Sequence, residues 1–179
     1  SKIGEKIDSD KTKLPVFMAS MNKIKTKKEL DIWLKNSSFK SNSNTTLNSN
    51  NNFVISEKLD GISVLVVIEN NSIKFYTRGD GEYGRDISFL SNNKKHNLSK
   101  LYNNYKKHNF TKLPTTKIIL RGELIISKAN FFDYQMDPVN QQYTTARSMV
   151  NGLLSLKTHN NLLKLIDIVF YEVITPSLK

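Results

Sequence analysis

The spacing of apolar residues along this chain predicts a set of strands. Residues 62–69 are β-branched and mostly apolar, which is typical of a buried strand. Asn70-Asn71 favours a tight turn and 72–78 forms the returning strand, so the sequence predicts a hairpin over 62–78. Apolar runs bounded by polar residues predict further strands at 53–59, 117–126 and 166–174.

Helices are predicted where a capping residue precedes apolar positions. Thr26 and Glu29 form a capping-box pattern, which predicts a helix near 27–35. Ser127 can cap a second helix that runs through about 135. The pattern also predicts a helix over 144–156 and a short one around 98–106. We therefore expect an α+β fold with mainly antiparallel sheets and a few helices.

The remaining segments are expected to be irregular, except for one in which a strand and a loop are both possible. They are the polar stretch 1–13, the apolar strand or loop 14–24, the low-complexity loop 36–52 and the glycine-rich loop 79–86.

Composition narrows the class of protein. The chain has 179 residues, enough for one domain with a sizeable core. It has no cysteine, which excludes disulfides, thiolate zinc sites and cysteine nucleophiles within this stretch. There is no membrane-spanning apolar run and no signal-peptide pattern. These features fit an intracellular protein with no membrane partner, and nothing in them implies an obligate protein partner.

The charge balance favours a polyanionic partner. Lys and Arg number 27 against 16 Asp and Glu, a formal net charge of +11. Such an excess is typical of nucleic-acid binding, but a lysine-rich composition equally explains solvated surface charge. The chain has only four arginines, and they are more informative because arginine offers a bidentate fork to phosphates and carboxylates. They are Arg78, Arg85, Arg121 and Arg147.

Lys58-Leu59-Asp60-Gly61 is the first candidate for chemistry. A lysine at a strand–loop junction can reach into a cleft, where burial or nearby cations favour loss of its proton and nucleophilic attack. Asp60 can orient that lysine or contact a sugar, and Gly61 permits a close backbone approach. The alternative is an exposed lysine in a turn.

Three further segments carry polar groups in unusual settings. The loop 77–86 combines three glycines with acidic residues and suits closure over a polar ligand, unless it is an ordinary turn. Arg121-Gly122-Glu123 interrupts an apolar strand, which indicates either a polar cleft or an exposed ion pair at a sheet edge. Thr145-Ala-Arg147 opens a helix and indicates either an anion site or a plain helix cap. No nucleotide-binding GxxxxGK[ST] or GxGxxG pattern occurs.

Taken in order, KLDG at 58–61, TRGDGEYGRDIS at 77–88, LRGEL at 120–124 and TARSMVNG at 145–152 resemble the adenylation domain of NAD-dependent DNA ligases. The resemblance covers about residues 14–174. The motifs also resemble those of family members from large DNA viruses, so the expected intracellular setting is the cytoplasm, the nucleoid or a viral factory. It implies a nucleotidyltransferase fold, an ATP-grasp-like ligase adenylation domain. The segment LPVFMASMNKI at 14–24 resembles the family's stretch beside the adenine pocket, with Ser20 and Met21 at the matching positions.

The resemblance implies a three-step reaction. Lys58 attacks the α-phosphorus of NAD and becomes adenylyl-lysine, AMP moves to a 5′-phosphate at a nick in double-stranded DNA, and the adjacent 3′-hydroxyl displaces AMP. Asp60 would assist Lys58, and Arg78 would contact the sugar and phosphate. Magnesium is expected as an additional cofactor, with no metal site made by the protein alone. The other residues implied to contact the nucleotide are Glu57, Leu59, Glu123 (ribose or a metal-bound water) and Arg147 (phosphate).

The chain departs from the family pattern at several places. The family's adenine-reading glutamate stands two residues before the lysine, where this chain has Ser56. Glu57 directly precedes Lys58, so it could read adenine only if a bulge moves it to the other face of the strand. Arg85 replaces a usual glutamate, and the four residues from Ser148 replace asparagine and small residues.

The resemblance also predicts that residues 1–179 form a partial adenylation domain, incomplete at its C-terminal side. The family's last two motifs, its upstream nicotinamide-recognition domain and its downstream OB-fold, zinc and helix-hairpin-helix domains have no counterpart here. We expect the chain alone to bind nucleotide weakly and ligate nothing. Two alternatives stay open: an ATP-using DNA ligase, RNA ligase or capping enzyme, and a non-catalytic basic nucleic-acid-binding module.

Overall fold

The computed structural model describes residues 11–38, 55–69, 72–92, 117–137, 142–156 and 160–175. The chain divides into two units, one formed by residues 19–58 and the other by the residues before and after them. The unit of residues 19–58 is the smaller one, and its described part contains one helix, α1 (Lys27–Ser38). The capping box that the sequence predicts begins this helix: the Thr26 Oγ1 accepts from the Glu29 N–H at 3.2 Å, and the Glu29 carboxylate accepts from the Thr26 N–H.

The larger unit is built on a four-stranded antiparallel sheet. Its strands are β2 (Ile62–Glu69), β3 (Ser72–Thr77), β5 (Lys117–Ile126) and β6 (Ile166–Thr175), in the order β3-β2-β5-β6. Strands β2 and β3 pair as the predicted hairpin, with Glu69 opposite Ser72. A separate two-stranded ribbon pairs β1 (Lys11–Lys13) with β4 (Tyr83–Arg85), also antiparallel.

Strand β2 is buried on both faces, which explains its nearly continuous apolar sequence. One face, with Val64 and Val66, belongs to the main core. The other face, with Leu65 and Val67, packs in a smaller cluster with the segment that follows β1.

Two helices cover the main-core face. Helix α2 (Lys128–Met136) begins at Ser127, whose Oγ accepts from the Asn130 N–H at 3.1 Å. Helix α3 (Ala146–Ser155) begins at Thr145 and buries four apolar residues in the main core. These are Met149, Val150, Leu153 and Leu154.

The predicted α+β class, the antiparallel pairing and most predicted elements are confirmed. The helices near 27–35, 128–135 and 144–156 and the strands near 62–69, 72–78, 117–126 and 166–174 are all present, with bounds that shift by a few residues. Segment 14–24, for which strand and loop were both open, is a loop.

Some predictions are wrong. Residues 55–59 form no strand, and Ile55 is 95% exposed, because no neighbouring strand pairs with this stretch in the sheet. Residues 11–13 are a strand, and 83–85 in the glycine-rich loop are its partner. Helix α1 runs through Ser38 into the segment predicted to be an exposed loop. The predicted helix at 98–106, the rest of 36–52 and the turn at 70–71 lie outside the described residues.

Candidate anion-binding cleft

A cleft of about 250 Å³ opens in the larger unit where β2, β3, the β1–β4 ribbon and helix α3 meet. Four of its lining residues are basic and none is acidic. The lining residues are Lys11, Ile62, Ser63, Thr77, Arg78, Gly79, Tyr83, Gly84, Arg85, Arg147 and Asn151. Such a concentration of cations around polar groups suits an anionic ligand.

Arg78 stands directly after β3 and is held by the backbone on both sides. Its N–H donates to the Ser63 carbonyl at 3.1 Å, and its own carbonyl accepts from the Gly81 N–H at 2.9 Å. The half-buried side chain lines the cleft. Arg78 is thus one of the predicted site residues that line the cleft.

The glycine-rich loop after Arg78 is a fixed turn. Gly79 and Gly81 have φ values of 55° and 103°, which are strained for residues with a side chain. The Asp80 Oδ1 accepts from the N–H groups of Glu82 at 2.9 Å and Tyr83 at 2.7 Å. These two bonds, with a smaller contribution from the charge of Lys11, hold the pKa of Asp80 below its usual range.

Asp60 and Arg147 meet at the mouth of this region. The Arg147 Nη1 donates to the Asp60 Oδ1 at 3.2 Å, and both side chains are at least half exposed. Arg147 is in the first turn of α3, after a complete capping box in which Thr145 and Ser148 exchange hydrogen bonds. Thr145 thus provides the predicted helix cap, and Arg147 also lines the cleft.

Glu123 lies behind the cleft wall. It is directly opposite Ser63 in the β2–β5 pairing, is only 6% exposed, and accepts a 2.9 Å hydrogen bond from the Ser63 hydroxyl. Burial and the charge of Glu123 raise the pKa of Tyr171, whose hydroxyl interacts with Ser63. Glu123 does not line the cleft itself, but it binds Ser63, which does.

Arg121 occupies the same face of β5, opposite Leu65. Its Nη1 forms an ion pair with Glu172 on β6 at 2.8 Å, and its Nη2 donates to the Phe17 carbonyl at 3.3 Å. Its Nε is buried and has no hydrogen-bond partner among the described residues. The alternative of an edge strand is wrong, because β5 lies between β2 and β6 in the sheet. Arg121 forms a cross-strand ion pair, and Glu123 fits the polar wall of a cleft.

Arg85 is fixed by neutral partners on α3. Its two terminal nitrogens donate to the Ser155 hydroxyl at 2.8 Å and to the Asn151 amide oxygen at 3.0 Å. The N–H of Arg85 also donates to the Thr77 hydroxyl at 3.0 Å. The arginine that departs from the family pattern is thus part of the cleft wall.

Four predicted site residues belong to the smaller unit. Ser20, Met21, Glu57 and Lys58 are all exposed there, and Lys58 is the last residue of that unit. Glu57 is not in a strand, so the expectation that it points away from Lys58 because of strand alternation does not apply. Leu59, partly buried, begins the next part of the larger unit.

Several residues of the cleft are not among those that the sequence predicts. Lys11, Ser63 and Asn151 line it, and Tyr171 joins the polar network behind it. Lys11 lies in a stretch that is predicted to be irregular and is one lysine among many, so its sequence carries no signal. Ser63 did have a signal, because it is the polar residue at the start of an otherwise apolar strand.

The described residues contain no group of three or more histidine, cysteine, aspartate or glutamate side chains that could hold a metal ion. Magnesium is commonly held by one or two carboxylates together with substrate phosphates. Asp60 and Glu123, each bonded to a residue of the cleft wall, fit that limited role. Separately, no helix among the described residues is long and apolar enough to cross a membrane.

The cationic cleft, a glycine-rich turn and a capped helix start together define an α+β domain suited to binding phosphate groups. Comparison with known families is consistent with this class. The model of the NAD-dependent DNA ligase adenylation domain matches residues 8–176. The chain therefore belongs to the NAD-dependent DNA ligase adenylation-domain family.

Individual relatives include viral and bacterial ligases. The chain is 38% identical to a DNA ligase of Acanthamoeba polyphaga mimivirus, over 99% of this chain and 24% of the relative. It is 32% identical to a putative DNA ligase of Invertebrate iridescent virus 6 (92% and 22%) and 30% identical to a DNA ligase of Mycoplasmopsis pulmonis (93% and 23%). The chain thus spans about a quarter of the length of these relatives.

Proposed function

We propose that this chain is the adenylation part of an NAD-dependent DNA ligase, with a nucleotidyltransferase fold, and that Lys58 is its nucleophile. The observation that carries the proposal is the Arg147–Asp60 pair, which ties a lining residue of the cationic cleft to the residue two positions after Lys58. Family membership supplies the reaction class, and the cleft supplies the phosphate-binding chemistry.

The first step forms a covalent bond to AMP. The unprotonated Nζ of Lys58 attacks the α-phosphorus of NAD, the N–P bond forms, the bond to the bridging oxygen breaks, and nicotinamide mononucleotide leaves with that oxygen. Asp60, whose carboxylate is held by Arg147, stands two positions after Lys58 in the chain. Cations near the reacting phosphate stabilise the charge that develops on its oxygens.

The remaining residues are assigned to parts of the nucleotide. Arg78 and Arg147 bind the phosphate oxygens, since an arginine fork matches phosphate geometry. Glu123, through the hydroxyl of Ser63, orients the ribose side of the cleft. The adenine contacts fall to Ser20, Met21, Glu57 and Leu59.

Magnesium supports the same step when it is bound. Asp60 and Glu123 are the protein groups that would help hold it, and it would supply charge neutralisation at the phosphates. The protein's own contribution is to place arginine side chains around the phosphate and to fix the glycine-rich turn beside it.

The later steps concern nicked double-stranded DNA. The proposed products are a DNA strand with AMP on its 5′-phosphate and then a sealed strand. Because the relatives are about four times as long as this chain, these steps are proposed for a protein of that length. NAD and DNA as substrates place the reaction inside the cell.

Intact-mass measurement tests the proposal. The purified chain is incubated with magnesium and either NAD or ATP, and Lys58→Ala is the control. An AMP adduct with NAD alone, lost in the variant, is expected. An adduct with ATP would support an ATP-dependent nucleotidyltransferase instead.

If neither nucleotide gives an adduct, the test is repeated on a chain extended at both ends to the length of the relatives. If the extended chain also forms no AMP adduct, and salt-sensitive DNA binding survives Lys58→Ala, the protein is a non-catalytic binding module.

A further inference from the structure

Two cations face each other across the β1–β4 ribbon. Lys11 is directly opposite Arg85 in the strand pairing, and both side chains line the cleft. Like charges placed directly opposite each other on a ribbon destabilise it unless something offsets the repulsion. A negatively charged group bound between these two side chains would offset their repulsion.

No carboxylate among the described residues forms an ion pair with Arg85. Its terminal nitrogens donate to the neutral Ser155 and Asn151 side chains, which hold the guanidinium in place without supplying an opposite charge. Asp80 interacts electrostatically with Lys11. That carboxylate is already engaged by the N–H groups of Glu82 and Tyr83.

Arg147 differs from Arg85 in this respect. It has its carboxylate partner in Asp60. The cleft thus has one side where an arginine is paired with an acid close to Lys58 in sequence, and another side where two cations face each other across a ribbon. Each of these two sides has cations that can bind a negative group.

We propose that the Lys11–Arg85 side of the cleft is a second phosphate subsite, distinct from the AMP phosphate site at Arg78 and Arg147. This inference rests on the proposed function and extends it to a second phosphate group. Its ligand is a phosphate next to AMP, and two sources share that chemistry: the phosphate of the departing nicotinamide mononucleotide and the 5′-phosphate at a nick in DNA.

Equilibrium binding separates the two sources without any turnover. The first pair of probes is a labelled nicked duplex with a 5′-phosphate and the same duplex with a 5′-hydroxyl. The second pair is nicotinamide mononucleotide and nicotinamide riboside, which lacks the phosphate. We expect the chain to bind the phosphate form of one pair about tenfold more tightly, since hydrogen bonds to charged groups are the strong ones.

Variants then assign that preference to the subsite. Arg85→Gln and Lys11→Gln should each reduce the phosphate preference at least about threefold, and Arg85→Lys should restore part of it. For the DNA probe, each neutral variant should also lower the salt slope of binding by about one. Lys128→Gln, the same charge change at the exposed start of α2, is the matched control and should leave both quantities unchanged.

A purely structural role for Arg85 gives a different result. It predicts that Arg85→Gln and Ser155→Ala lower thermal stability alike and leave the phosphate preference intact. If Arg85→Gln does not fold, the phosphate preference of Lys11→Gln, a substitution at an exposed residue, decides between the two roles. No preference in the wild type for either pair, or a preference that survives in a folded variant, overturns the proposal. Because the assay needs no adenylation, its result is independent of whether Lys58 becomes modified.

Discussion

Arg147, in the first turn of helix α3, donates a 3.2 Å hydrogen bond to Asp60, which lies 87 residues earlier in the chain. The pair joins a helix start to the loop that follows Lys58. Both side chains are at least half exposed, so solvent weakens the electrostatic contribution of the pair to folding.

Asp60→Asn and Arg147→Gln should therefore separate activity from stability. We expect a change of less than about 1 kcal/mol in the free energy of unfolding, because exposed ion pairs contribute little. The rate of adenylyl-lysine formation should fall roughly 10²-fold, because a small misplacement of the reacting groups reduces a reaction rate by about that factor. Urea unfolding and time-resolved intact mass measure the two effects.

Glu69→Gln is the matched control for this comparison. It breaks an exposed ion pair with Lys117 at the opposite end of β2. If adenylation falls as much in this control as in Asp60→Asn, the Arg147–Asp60 pair has no specific role in adenylation.

Ser63→Ala should destabilise the larger unit. The Ser63 hydroxyl donates to the buried Glu123 carboxylate, and a buried acceptor that loses its donor costs about 1–3 kcal/mol. Chemical denaturation measures the change. Ser72→Ala, at an exposed strand start, should stay within about 0.5 kcal/mol of the wild type. Equal effects at the two serines would contradict the role given to the Ser63–Glu123 bond.

Gly79→Ala should disrupt the turn that carries Arg78 into the cleft. Gly79 has a φ of 55°, and an added Cβ would collide with the Tyr83 carbonyl oxygen. Strain of this kind costs about 1–3 kcal/mol. We expect a lower melting temperature and weaker nucleotide binding by calorimetry. Glu82→Ala, a side-chain truncation in the same loop, should leave both nearly unchanged, and a normal Gly79→Ala protein would show that the turn adapts.

The stability of the same turn should depend on pH through Asp80. Hydrogen bonds from the Tyr83 and Glu82 N–H groups lower the pKa of Asp80 in the folded protein. The stabilisation is therefore fully present above the ordinary aspartate pKa of about 4 and is lost as the pH falls through the lowered folded pKa.

Comparison of Asp80→Ala with the wild type checks this dependence. The difference in free energy of unfolding should be constant from neutral pH down to about pH 4 and should shrink below it. NMR titration of the Asp80 carboxyl gives the folded pKa directly. A pKa at or above the ordinary value would refute the two backbone hydrogen bonds as its cause.

Thr145→Ala should weaken the start of α3. The Thr145 Oγ1 accepts from the Ser148 N–H at 3.0 Å, and loss of such a cap costs about 1 kcal/mol. Thr145→Ser keeps the oxygen and should restore most of the stability, as measured by thermal unfolding. A serine variant as unstable as the alanine variant would point to lost packing of the threonine methyl group.

The elements of this protein were largely predictable, and the failures have a common cause. The hairpin at 62–78 and the capped helices follow from patterns within a few residues, namely β-branched runs and N-cap oxygens. The strand at 11–13 and the absence of one at 55–59 depend on pairing. Lys11–Lys13 is a strand because Tyr83–Arg85, seventy residues away, supplies its hydrogen bonds.

The candidate site divides in the same way. Arg78 and Arg147 stand out in sequence as two of only four arginines, and Asp60 and Glu123 stand out because each adjoins a glycine next to a strand or within one. The antiparallel α+β class, the order of the motifs and their resemblance to the ligase family follow from local residue patterns, so they can be read from the chain alone. Three contacts became apparent only in the folded structure: Lys11 faces Arg85, Ser63 binds Glu123, and Arg147 holds Asp60. Each of these contacts joins residues at least sixty positions apart, and only strand register and helix packing bring such residues together.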